Sequence, residues 1–79
     1  MNEIYLLKDL SRLSGQSTHT LKFYLRMGLL KEIGRSPETN FRYFNGETLK
    51  KLQKIRELRA EGISLREIQE KLNTNYELL

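Results

Sequence analysis

The chain lacks cysteine and tryptophan, and its 79 residues include a single histidine and a single proline. Without cysteine it forms neither disulfide bonds nor thiolate metal sites, and a lone histidine without further ligands at suitable spacing does not indicate a metal site. No apolar stretch approaches the roughly 18 residues that a membrane-spanning helix needs. The N-terminus does not resemble a secretory signal, so we expect a cytoplasmic protein.

Length and motif content limit the protein further. A chain of 79 residues can build one small domain around a single core, but not a separate catalytic or ligand-binding domain as well. The sequence has no paired nucleophile and base, no carboxylate pair placed for acid–base catalysis and no glycine-rich phosphate loop. We therefore expect no enzymatic activity and no cofactor.

The positive charge is concentrated in the middle of the chain. The net charge is +4, but the segment from Ser17 to Arg59 has ten Lys or Arg against four Asp or Glu, which gives +6. The remaining residues have four against six, which gives −2. A basic centre suits an anionic partner such as nucleic acid. A solvated basic surface is an equally good explanation of the charge alone.

Two short helices joined by a tight turn are predicted near the N-terminus. The first has leucine at every third position from Leu7 and ends at Gly15. The second begins at Thr18, is capped by the Ser17 hydroxyl, and runs to residue 26 or 27 before Gly28. Its apolar side carries Leu21, Tyr24 and Leu25.

A small β-hairpin and two more helices are predicted after these. Turn-forming residues at 36–40 precede the aromatic-rich segment 41–44, which together indicate a two-stranded antiparallel ribbon. Asn45 can cap a third helix that ends near Gly62. Ser64 and Glu67 have the spacing of a capping box for a fourth helix, which the polar residues 73–75 are expected to end.

The first two helices meet the requirements of a DNA-reading helix-turn-helix. These are a small residue between the helices, a glycine in the turn and apolar anchors beneath the second helix. Ser11, Gly15, Leu21 and Tyr24 supply them, although any helical hairpin of this length has a similar pattern. The polar stripe of the second helix adds side chains that can reach base edges or a phosphate: Thr18, His19, Lys22 and Arg26. The predicted fold class is mainly α with a small β-hairpin wing, a winged helix-turn-helix.

Five segments form an ordered set of motifs: LKDLS at 7–11, TLKFY at 20–24, GLL at 28–30, NFRYF at 40–44 and LRAEGISLREI at 58–68. In this order they resemble the DNA-binding domain of the mercury-resistance regulator (MerR) family of bacterial transcription regulators. The first three are similar to its helix-turn-helix, the fourth to its first wing and the fifth to its second wing. The resemblance runs from about Leu7 to Leu72.

The resemblance implies a set of DNA contacts. The exposed side of the second helix would face the major groove, with Tyr24 packing below and offering its hydroxyl to a phosphate. Arg42 would be the contact of the first wing, Arg35 lies on the partner strand, and Arg59 matches a backbone-contacting position of the second wing. The expected DNA-binding residues are Thr18, His19, Lys22, Phe23, Tyr24, Arg26, Arg35, Arg42 and Arg59.

Three positions depart from the family pattern. His19 stands where arginine is frequent, Phe23 replaces the more usual tyrosine, and Leu25 replaces a common acidic residue and is expected to pack against a neighbour. Simpler interpretations also stand beside the DNA contacts. The aromatic residues can be core residues only, and Arg42 and Arg59 can be surface charges.

The resemblance implies a homodimer that binds a palindromic promoter site, distorts the DNA and so presents the promoter to RNA polymerase. Residues 1–75 would form the DNA-binding domain, and 76–79 would begin a truncated dimerisation helix. In the family, a sensing domain follows that helix. The alternatives are an excisionase-like architectural protein that bends DNA, and a basic module that docks an acidic protein.

Overall fold

A computed structural model describes the backbone of residues 3–78 and the side chains of residues 3–72. The described residues form four helices: α1 (Leu7–Ser14), α2 (Thr18–Met27), α3 (Gly46–Ala60) and α4 (Leu65–Leu78). The three strands are β1 (Tyr5–Leu6), β2 (Gly34–Arg35) and β3 (Arg42–Phe44). The predicted fold class, mainly α with a small β wing, is confirmed.

The helix-turn-helix follows the predicted boundaries. α1 ends at Ser14, and Gly15 adopts the left-handed conformation, with φ 75°, that the lack of a Cβ atom permits. The Ser17 hydroxyl caps α2 because it accepts a hydrogen bond from the backbone amide of Thr20 at 3.1 Å. α2 then ends at Gly28, as predicted.

The sheet has three strands, in the order β1, β3, β2, so the prediction of a two-stranded ribbon is wrong in strand number. β2 and β3 form the expected antiparallel hairpin. β1 pairs with the other edge of β3, where Tyr5 lies opposite Phe44 and Leu6 opposite Tyr43. With two residues, β1 is too short for alternating polar and apolar side chains to reveal it. Its pairing satisfies backbone groups that a two-stranded ribbon would leave open.

The predicted caps begin the two C-terminal helices. The side-chain oxygen of Asn45 accepts hydrogen bonds from two backbone amides of α3. Before α4, the Ser64 hydroxyl accepts from the Glu67 amide at 3.2 Å. It also donates to the Glu67 carboxylate at 3.3 Å. The first bond is one half of the predicted capping box, whereas the Glu67 carboxylate meets the Ser64 hydroxyl in place of the backbone amide that a complete capping box uses.

α4 continues to Leu78, so the predicted break at 73–75 is wrong. Asn and Thr cost a helix no more than about 0.7 kcal/mol each relative to alanine, which the continuing backbone hydrogen bonds can offset. The boundary between a domain over 1–75 and a dimerisation helix from 76 stays a prediction. The side chains on both sides of it lie outside the described ones.

One core joins all four helices to the sheet. Its buried side chains include the predicted anchors of α2 and the apolar stripes of α3 and α4: Leu10, Leu21, Tyr24, Leu29, Leu30, Phe44, Leu52, Ile55 and Ile68. Phe44 is completely buried, so the wing strand that carries it is anchored in the same core as α2. Among residues 3–78, none of the helices combines the length and apolar composition that crossing a bilayer requires.

Candidate nucleic-acid interface

The outer side of α2 presents the side chains predicted to read DNA. The exposed residues on this side, which we call the α2 face, are Thr18, His19, Lys22, Phe23 and Arg26. On the opposite side Leu21 and Tyr24 are buried, and Leu25 packs against the core as expected. The period of 3.6 residues separates the two sides, so core packing itself turns the α2 face outward.

Tyr24 packs below the α2 face, as expected, and is only 6% exposed. Its ring lies 6.5 Å from that of Phe23 at an angle of 46°, a tilted pair that links the core to the surface. The contact of the hydroxyl with a phosphate stays a prediction.

Side-chain hydrogen bonds hold the turn between α1 and α2. The Ser11 hydroxyl donates to the Gln16 carbonyl at 2.6 Å, across the turn that Gly15 opens. The Arg56 guanidinium of α3 donates to the Ser14 carbonyl at 3.4 Å, at the C-terminus of α1. The second bond satisfies a carbonyl group that the end of a helix leaves without a partner, and the first fixes the turn between the helices.

The other end of α2 is held by α4. The side-chain amide of Gln69 donates to the backbone carbonyl of Met27, in the last turn of α2. Sequence reasoning missed both Gln69 and Arg56, because each acts on a residue 42 positions away along the chain. The orientation of the α2 face therefore depends on the two C-terminal helices.

The wing is a tight hairpin whose two central arginines face each other. In the antiparallel register Arg35 lies directly opposite Arg42, and Gly34 lies opposite Tyr43. The Ser36 amide donates to the Phe41 carbonyl at 2.9 Å, which closes the loop. Phe41 itself is 59% exposed, so it belongs to the surface of the wing rather than to the core.

Two clefts lie between α2 and the wing. The base cleft has a volume of about 590 Å³ and is lined by Lys22, Leu25, Arg26, Leu30, Lys31, Glu32, Arg35 and Arg42. The tip cleft has a volume of about 410 Å³ and is lined by Leu6, Leu7, Lys8, Thr18, Lys22, Asn40, Phe41 and Arg42. Lys22 and Arg42 line both clefts, so the predicted reading helix and the predicted wing contact border the same surface. We call the two clefts together the basic trough. Lys8 and Lys31 also belong to it and were not predicted.

Glu32 is the one acidic residue that lines the base cleft, and it pairs with both wing arginines. Its carboxylate lies 2.6 Å from Arg35 Nε and 2.8 Å from Arg42 Nε. The hydrogen bond from Arg35, helped by its charge and by Arg42, holds the pKa of Glu32 below its usual range despite an opposing effect of desolvation. The same bond raises the pKa of Arg35.

Arg59 lies apart from these clefts. It is exposed in the last turn of α3, and its Nη1 donates to the Ile63 carbonyl at 3.1 Å, across the turn before α4. A cation at this position interacts favourably with the C-terminal end of the helix dipole. Its contact with DNA therefore stays a prediction that rests on the resemblance alone.

The described side chains do not gather into a metal site. Among them there is no group of three or more His, Cys, Asp or Glu that could hold a metal ion. His19 is exposed on the α2 face. What the trough offers instead is a set of cations beside a helix with exposed polar and aromatic side chains, which suits a polyanion.

The profile of a family described as "MerR HTH family regulatory protein" matches residues 5–75. The chain belongs to this family. The match includes the helix-turn-helix, the wing and most of α4, so it covers every element that lines the two clefts. No curated protein matches the chain.

Two solved structures of MerR family regulators are similar to this chain. HiNmlR, a MerR family regulator lacking the sensor domain and crystallised with promoter DNA, is 28% identical with a TM-score of 0.83, over 94% of this chain and 55% of HiNmlR. A MerR family transcriptional regulator from Bacillus cereus is 24% identical with a TM-score of 0.82, over 89% of this chain and 52% of that one. The second likeness shows the fold alone. The chain spans about half the length of each of these regulators.

Proposed function

We propose that the chain binds duplex DNA in a sequence-specific manner and takes part in transcription regulation. The observation that carries the proposal is the basic trough, in which Lys22 of α2 and Arg42 of the wing line the same two clefts. HiNmlR, which shares this fold, is a regulator crystallised with promoter DNA. Membership of a family of regulatory proteins supports the same function.

The α2 face and the wing would make different kinds of contact with DNA. Thr18 and Lys22 are exposed on a helix of ten residues, whose width fits the major groove, and they would meet base edges. Arg35 and Arg42 lie on the hairpin, where they would meet phosphates and set the register of the protein on the duplex. Arg59 would grip the backbone from the second wing.

In the complete regulator, two such domains would bind the halves of a palindromic promoter site as a homodimer. Bending and untwisting a site costs on the order of a few kcal/mol, which phosphate contacts from wings on both sides of the reading helix can supply. The distorted promoter would then be presented to RNA polymerase in the bacterial cytoplasm. A single domain of this kind would bind one half-site with modest affinity.

The test separates residues that would contact base edges from residues that would contact phosphates. Thr18→Ala and Lys22→Ala should each cost about 1–3 kcal/mol on the preferred site and relax base preference at one position. Arg42→Ala and Arg59→Ala should weaken preferred and random DNA by similar factors and lower the salt slope by about one. Lys71→Ala, which removes an exposed cation of α4, is the matched control.

The measurement is a binding-site selection followed by salt titrations, with circular dichroism melts to verify folding. If the wild-type chain bound no duplex at all, a protein-docking role would replace the proposed function. Bending of DNA without a preferred sequence would favour the architectural alternative. A changed consensus for Arg42→Ala with an unchanged one for Lys22→Ala would reverse the assigned roles of wing and helix.

A further inference from the structure

Glu32 raises a question that the proposed function leaves open, because an acidic side chain lies inside a cleft proposed to bind phosphates. The other charged residues that line the base cleft are five cations, Lys22, Arg26, Lys31, Arg35 and Arg42. A carboxylate there repels phosphate and lowers the local positive charge. The contacts of Glu32 with Arg35 and Arg42 explain its presence in the cleft.

Arg35 and Arg42 are directly opposite each other across the β2–β3 ladder. Like charges in such a cross-strand pair repel each other and destabilise the hairpin. Glu32 joins them, since one carboxylate accepts from Arg35 Nε at 2.6 Å and from Arg42 Nε at 2.8 Å. It also accepts from Arg35 Nη2 at 3.4 Å. The carboxylate therefore turns a repulsive pair into a bridged cluster of three side chains.

The bridge leaves donors available on both guanidinium groups. Among the described residues, neither Nη atom of Arg42 nor Nη1 of Arg35 donates to a protein acceptor. Both side chains line the base cleft and are partly exposed, 42% for Arg35 and 35% for Arg42. Guanidinium groups with one edge held by a carboxylate keep the other edge for a phosphate oxygen.

We propose that Glu32 is a positioning residue that holds Arg35 and Arg42 side by side as one phosphate site and thereby favours the correct DNA sequence over random DNA. The inference rests on the proposed function. Two arginines in a set position accept a phosphate in one register, which places the α2 face over one set of bases. Arginine side chains that move freely would contact phosphates in any register, and they would strengthen binding to selected and random DNA equally.

The test compares Glu32→Gln with Glu38→Gln. Both substitutions remove one negative charge from the region of the wing, but Glu38 is exposed in the wing loop and makes no ion pair among the described residues. Glu38→Gln should raise affinity for selected and random duplexes by the same factor. Glu32→Gln should raise affinity for random DNA but lower the ratio of selected to random affinity by about two- to fivefold, the range of one partly exposed ion pair.

Two further measurements test whether the change in the ratio of selected to random affinity comes from the positions of Arg35 and Arg42. Nitrogen-15 spectra of the free protein should show Nε–H signals of Arg35 and Arg42 that are shifted away from free arginine in wild type and Glu38→Gln. In Glu32→Gln both signals should move toward the position of free arginine. In an Arg42→Ala background, Glu32→Gln should lower the ratio less than it does in wild type, because only Arg35 is then left to be freed for contacts with random DNA.

The outcomes distinguish the two proposals. Equal ratios for Glu32→Gln and Glu38→Gln, in a wild-type protein that binds DNA, would overturn the positioning role and leave the proposed function standing. Unchanged Nε–H signals in Glu32→Gln would overturn it as well. A wild-type chain without any affinity for duplex DNA would overturn the proposed function, and the inference that rests on it would fall with it.

Discussion

Gly34 of the wing strand β2 provides the sharpest test of how the wing is built. It lies opposite Tyr43 in the ladder, and the Tyr43 ring lies over it. A Cβ atom added at Gly34 would come within 2.5 Å of Tyr43 Cζ and 3.0 Å of Cε1. Carbon atoms in normal contact are about 3.5–4.0 Å apart, so the ring would have to move by about 1 Å or more.

The expected effect of Gly34→Ala follows from that displacement. Overpacking of this kind costs about 1–3 kcal/mol of unfolding free energy. For a domain of this size each kcal/mol changes the melting temperature by roughly 4–8 °C, so a fall of roughly 5–20 °C is expected. Affinity for random DNA should also fall, because a displaced Tyr43 disturbs the strand next to Arg42.

Gly46→Ala is the matched control. Gly46 is the first residue of α3, and a Cβ atom there would meet nothing within 4 Å. Alanine in a compatible helical position is more stable than glycine by about 0.4–1 kcal/mol, so this variant should melt at or above the wild-type temperature.

The measurement is thermal unfolding by circular dichroism of both alanine variants and of Gly34→Ala combined with Tyr43→Ala. Without the tyrosine ring, Gly34→Ala should cost almost nothing, and this non-additivity reports the contact directly. Equal melting temperatures for Gly34→Ala and Gly46→Ala would refute the reasoning. They would show that the Tyr43 ring does not resist a Cβ atom at Gly34.

Three further predictions concern the oligomeric state, the salt dependence of DNA binding and the stability at acidic pH. At tens of micromolar the chain should sediment as a monomer or weak dimer, because residues 76–79 are too few for a coiled coil. A tight dimer would contradict this reasoning and would place the dimer interface within the winged fold. Duplex binding should weaken steeply with salt, because the DNA contacts of Lys22, Arg26, Arg35, Arg42 and Arg59 each release counterions and add about 0.9 to the log–log slope. A slope near zero would contradict DNA binding. The pKa of Glu32 is lowered in the folded state, so its ion pairs stabilise the protein above the usual carboxyl range and are lost as the pH falls through the lowered pKa. The melting temperatures of wild type and Glu32→Gln should therefore converge on acidification, and a constant difference would show that the ion pairs do not contribute.

Most of the helical part of the fold could be predicted because its signals are local. Ser17 and Asn45 act on backbone amides within three residues of themselves. Gly15 and Gly28 end their helices through their own backbone conformation. The apolar period of α2 likewise determines which of its residues lie at the surface. Signals of this kind need no knowledge of the rest of the chain.

Most of the missed features depend on distant residues. β1 exists because its backbone completes an edge of β3, nearly 40 positions later in the chain. Glu32 was not recognised because nothing in its own segment indicates that a hairpin brings Arg35 and Arg42 to the same carboxylate. The break expected at 73–75 was a local signal that the helix overrides. Helix propensity is a weak guide here, because each unfavourable residue costs the helix only a few tenths of a kcal/mol, about 0.7 at most.

The contacts that could not be predicted from the sequence connect α2 and the wing to the rest of the fold. Gln69 and Arg56 hold the ends of the helix-turn-helix from α4 and α3. Phe44 anchors β3 in the same core, while Glu32 holds the two wing arginines in one cluster. A reading helix and a gripping wing can recognise one sequence only if their relative position is constant to about half an ångström, since both must fit the same duplex. Substitutions at Gln69 or Arg56, outside the proposed DNA contacts, should therefore reduce sequence preference more than they reduce binding to random DNA.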